Sequence, residues 1–154
     1  MRKLLGTAHV YMIAGVVSGL YYRELTKAEH FTGQTQLGVV HTHLLALGMM
    51  FFLIVLALEK LFSLTSSPLF TWFFWVYNAG LVVTVGMMAL HGTLTVLGHD
   101  AGGAVAGIAG VGHILLTAGL VLLFVMIGKR LPQDARSCSN PAPDTVVEPV
   151  RKSR

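Results

Sequence analysis

His41 and His43 stand one residue apart in a long apolar run, residues 38–58, GVVHTHLLALGMMFFLIVLAL. About 20 apolar residues are enough to cross a bilayer as a helix. An ionisable side chain inside such a run costs on the order of 2.5 kcal/mol or more, so two of them call for partners or a task. Helical positions i and i+2 lie about 200° apart. The two imidazoles therefore face nearly opposite sides of one rod. They cannot chelate a single ion together, as an i,i+4 pair can.

Imidazole is a ligand for haem, copper and zinc. A haem is flat and wide, and its two axial ligands come from facing helices. One histidine on each side of a helix is what a helix between two such pockets needs. Zinc asks for three or four converging ligands, usually with carboxylate or thiolate among them. Asp100 is the single acid near the outer histidines, and it falls in a loop. Met49, Met50, Met87 and Met88 read as packing rather than as a soft-metal path.

Such a rod needs neighbours, and the composition supplies them. Of 154 residues, 54% are hydrophobic and 12% charged, about half the charged share of a soluble domain. The expected class is an all-α, multi-pass protein of the cell membrane with one domain in the bilayer. The net charge of +4 sits at the ends without a basic, aromatic-interleaved helix, so no nucleic-acid partner is indicated. The lone Cys138 excludes an intrachain disulfide.

Four spans are expected, at about 4–22, 38–58, 69–97 and 104–128, making a membrane domain of 1–130. Arg2 and Lys3 precede the first span. It is longer than a signal-peptide core and no A-x-A site follows, so it reads as a retained helix. Gly15 and Gly19 form a GxxxG that admits a close neighbour, and Gly107, Gly110, Gly112 and Gly119 give the fourth span small-residue faces. Residues 23–37 read as a polar loop or short surface helix, 59–68 as a connector and 98–103 as a tight turn. Pro132 stops the last helix. The tail 131–154 is expected to be a disordered cytoplasmic segment.

Arg2, Lys3, Lys60, Lys129, Arg130 and Arg136 fall on one side of this arrangement, against Arg23 and Lys27 on the other. The asymmetry predicts both termini in the cytoplasm. His41, His43, His91 and His113 then share the outer half of the membrane. His91 runs on a stripe with Thr84, Met88 and Thr95, which suits a helix contact as well as a cofactor wall. His113 suits an interhelical hydrogen bond as well as a ligand. His9 lies alone near the inner end, where Asn78 is a candidate partner. His30 and His99 read as solvated.

The run HTHLLALGM on the second of four spans resembles the H-x-H helix of haem–copper oxidase catalytic subunits. Residues 1–130 would match one four-helix arc of that pseudo-threefold, twelve-helix fold. The chain also resembles a small uncharacterised four-helix membrane family, through YMIAG and YREL in the first span and VVHTHLL in the second. The oxidase resemblance implies His41 at the high-spin haem position and His43 at the low-spin one. The departures are large. The His-Pro-Glu-Val-Tyr run and the His-His pair of the copper site are missing, and the third span offers His91 followed by Gly92. Leu45 and Leu47, not tyrosine, lie four residues after His41 and His43. No acid is expected deep in a span. Oxygen reduction is not implied, and no catalytic motif marks an enzyme.

Geometry and resemblance together suggest a homotrimer of 3 × 4 helices in which His41 of one copy and His43 of the next ligate one haem b. His91 and His113 are then possible second ligands or pocket lining. The function expected is electron transfer, haem handling, or redox or gas sensing. Three alternatives stand beside it. One is a monomeric haem bundle, pairing His41 or His43 with His91 or His113. Another is a small proton or metal-ion transporter with a histidine relay. The last is a structural membrane subunit.

Overall fold

The structure, a computed structural model, describes residues 1–99 and 102–131, with the side chains of 104 and 106 left aside. It is all-helical, and four helices among the described residues are long and apolar enough to cross a membrane. Span one is Arg2–Ala28. Span two is Leu37–Phe62, an α-helix over Leu37–His43, a π-helix over Leu44–Met50 and an α-helix over Phe51–Phe62. Span three is Leu69–Val96 and span four Gly102–Arg130. The tail from 132 and part of the turn at 98–103 lie outside the described residues.

Two boundaries differ from the sequence reading. Span one continues about two turns beyond the apolar stretch, through Arg23 and Glu24, because nothing in RELTKA breaks a helix and Thr26 Oγ1 returns a hydrogen bond to the Tyr22 carbonyl at 2.8 Å. Span two also runs past residue 58. It ends at Ser63, whose φ of +48° turns the chain left-handed into a short 3₁₀ turn, Leu64–Ser66. Glu59, expected to open the connector, thus lies in the last turn of span two and is buried. Its carboxylate accepts the Thr65 backbone N–H at 2.7 Å and the Thr65 hydroxyl. A buried carboxylate needs such donors, and these two fix the connector against the end of the helix.

Span one packs along span two, span two against span three, and span three forms a tight hairpin with span four. Aromatic rings fill the space between the first three. Phe51 and Tyr77 stack with centroids 4.1 Å apart, Tyr11 stacks on Phe52 at 5.9 Å, and Phe73 and Phe74 complete the cluster. Phe52, Phe73 and Tyr77 are almost wholly buried. Offset aromatic pairs add about 0.5–1.5 kcal/mol each beyond the area they bury.

The hairpin of spans three and four has no comparable ring cluster and relies on close backbone approach. A Cβ on Gly80 would meet the backbone of Leu116 at 2.6 Å, and one on Gly119 would meet Tyr77 Cβ at 2.9 Å. Small residues let two rods share dispersion contacts along their backbones, which is the main attraction left once water is absent.

Candidate cofactor site at the paired histidines

The helix preceding the π segment carries both histidines, and they diverge as the periodicity requires. His41 lies against span one: a Cβ on Gly19 would stand 3.6 Å from His41 Cβ, and one on Gly15 would stand 2.8 Å from Leu45 Cδ2. The GxxxG of span one is therefore filled from within the chain, by His41 and Leu45. At that level span one sits directly against the Cβ of His41. His41 Nδ1 is buried and has no hydrogen-bond partner.

His43 lies on the stripe of Val39, one turn away. Its Nδ1 is 2.9 Å from the Val39 carbonyl. A carbonyl only accepts, so Nδ1 carries the proton and Nε2 presents its lone pair outward. Metal-binding imidazoles are commonly oriented in this way by a bond on the far nitrogen. Val39 also lines a crevice of about 340 Å³ with Gln34, Thr35, Gln36, His91 and Thr95. The crevice opens at the end of the bundle away from the termini. Its rim is held by Thr35 Oγ1, which donates to the Gly92 carbonyl at 2.9 Å. His91 is half-buried there, with Thr95 Oγ1 donating to its carbonyl at 2.9 Å. The stripe foreseen through Thr84, Met88, His91 and Thr95 is thus divided. Thr84 and Met88 are buried, Thr84 against Gly112 of span four, while His91 and Thr95 face the crevice.

His113 does not join this group. It is exposed on span four and lines a shallow groove of about 660 Å³ with Val76, Thr117 and Val121. Its Nδ1 donates to the Ala109 carbonyl at 2.9 Å, so its Nε2 also points outward. Among the described residues no three of His, Cys, Asp and Glu gather as a metal-binding group. The four imidazoles do not gather in one cavity.

A family model described as "Protein of unknown function (DUF2871)" matches residues 1–130. The chain belongs to this DUF2871 family. No curated protein and no solved structure matches it. The family match takes in all four helices and His41, His43, His91 and His113.

Within this DUF2871 domain the structure corrects one pairing and adds a polar contact that periodicity did not flag. His9 is exposed and is not the partner of Asn78. Asn78 Oδ1 accepts the Tyr11 hydroxyl at 2.7 Å, and its amide donates to the Phe74 carbonyl at 2.7 Å. The signal for Tyr11 was its place on the stripe Leu4, Ala8, Tyr11 and Gly15, all buried. Position 9 falls off that stripe.

Proposed function

We propose that this DUF2871 protein is a haem b-binding integral membrane protein serving electron transfer, haem handling or redox or gas sensing. The observation that carries the reading is the opposed setting of His41 and His43, with His43 Nε2 left free by the bond from Nδ1 to Val39. An imidazole fixed in this tautomer is prepared to be an axial ligand. The crevice that Val39 lines, one turn from His43, carries the polar side chains Gln34, Gln36 and Thr95, suited to propionates. At about 340 Å³ it is too small to enclose a porphyrin alone, which favours a site completed by a neighbouring copy.

In this proposal three copies close into a ring, with both termini in the cytoplasm and the crevice in the outer leaflet. His43 of one copy and His41 of the next are the axial ligands. His91 lines the pocket. His113, on the far hairpin, is a possible ligand or contact at the boundary between copies. Bis-histidine ligation fills both axial positions, so the iron would exchange electrons rather than activate a substrate. The resemblance of the HTH helix to haem–copper oxidase subunits agrees with this reading but does not extend to their copper site.

The test is the visible spectrum of the purified full chain, with haem per chain and oligomer mass. The expected result is a low-spin b-type difference spectrum at one haem per chain in a trimer. A colourless preparation after expression with ample haem overturns the reading.

A further inference from the structure

A second site lies at the other end of the bundle. Spans one and three do not close on each other beside the termini, and a groove of about 1000 Å³ separates them. Val10, Phe70, Phe74, Trp75 and Val82 form its walls, and Lys3 stands at its mouth. Trp75 in the groove wall and Trp72, three residues before it, are both exposed, and tryptophans gather at the level of lipid headgroups. The mouth therefore lies at the membrane surface and the walls run inward from it.

Apart from Thr71, which follows Phe70 near the start of span three, the polar side chains along the groove other than Lys3 are committed elsewhere. Tyr11 and Asn78 bond to each other. Thr7 Oγ1 donates to the Lys3 carbonyl at 2.9 Å, and the Thr65 hydroxyl to Glu59. The deep part thus offers an apolar surface and does not ask for a polar ligand. Lys3 differs: among the described residues it has no carboxylate partner, the one ion pair being Arg23–Glu24. Arg2 and Lys60 add positive charge at the same end. A cation at headgroup level above a deep apolar slot is complementary to an anionic head on a hydrocarbon tail.

We propose that this groove is a binding site for one anionic phospholipid of the leaflet on the termini side. Its phosphate sits on Lys3 and an acyl chain lies between spans one and three, against Val10, Phe74 and Val82. The bound chain fills the gap that the helices leave open beside the Tyr11–Asn78 bond.

The experiment is native mass spectrometry of the delipidated full chain. Equimolar phosphatidylglycerol and phosphatidylcholine with the same acyl chains are offered in detergent. One retained lipid is expected, with phosphatidylglycerol preferred about fivefold, the effect of one lysine near the surface. Lys3→Gln should remove the preference while leaving phosphatidylcholine retention as it was. Gly6→Leu should displace both lipids, because Gly6 lines the groove with open space around it and a leucine there intrudes on no neighbour. Equal retention of the two lipids by the unaltered chain overturns the proposal, as does a preference that survives Lys3→Gln. A lipid-free oligomer, with a second copy seated in the groove, overturns it too. None of these readouts involves a chromophore, so the result is independent of the haem reading.

Discussion

The Tyr77 hydroxyl donates to the Leu47 carbonyl at 2.9 Å, reaching from span three into the middle of the π-helical segment of span two. A π turn is wider than an α turn and seldom persists for seven residues without outside support. Here the Tyr77 ring also stacks on Phe51, the first residue after the segment. Both contacts hold the widened turns directly after the two histidines.

Tyr77→Phe keeps the stack and removes the donor. The expected loss is about 1 kcal/mol of stability, the net value of one such bond. A lowered unfolding midpoint in detergent would show it. An unchanged midpoint would mean that the hydroxyl does not support the π segment.

The two histidines should not be equivalent. His43→Ala is expected to abolish any six-coordinate low-spin haem signal, because His43 is the imidazole whose free nitrogen points outward. His41→Ala should weaken the signal and also loosen span one, since the His41 side chain packs on Gly19. Paired visible spectra and unfolding curves separate the two effects. If His43→Ala leaves the spectrum intact, the ligands lie elsewhere.

The glycines of the second hairpin divide into two kinds. Gly80→Leu forces a side chain into the backbone of span four and should cost about 1–3 kcal/mol or more through overpacking. Gly107→Ala meets open space and should change stability by less than about 1 kcal/mol, the range of helix propensity. Unfolding midpoints of the two variants test the contrast, and equal losses would contradict the packing described.

Glu59→Ala should release the connector while leaving the spans in place. It removes the acceptor of the Thr65 N–H, and the net loss of one such bond is about 1 kcal/mol. Amide exchange at Thr65 is the direct measurement. Rapid exchange in the variant and slow exchange in the parent chain are expected, and no difference would show that the carboxylate does not hold the turn.

The sequence by itself determined the four apolar helices and the divergence of His41 and His43. Both follow from chain length, hydrophobic content and a helical repeat of about 3.6 residues. It also marked Gly15 and Gly19 as a place of close approach. Only the tertiary structure decided what fills that place, and it is His41 and Leu45 of the same chain. Only the structure separated His113 from His43 and His91, matched Asn78 with Tyr11 rather than His9, and buried Glu59. The reason is physical. The repeat fixes the direction of a side chain about its own helix axis, but not which neighbour stands in that direction. In spans that are apolar all round, no polar face tells the buried side from the lipid side. The π segment of span two then alters the rotation of every residue after it, and nothing in LLALGMM announces that change.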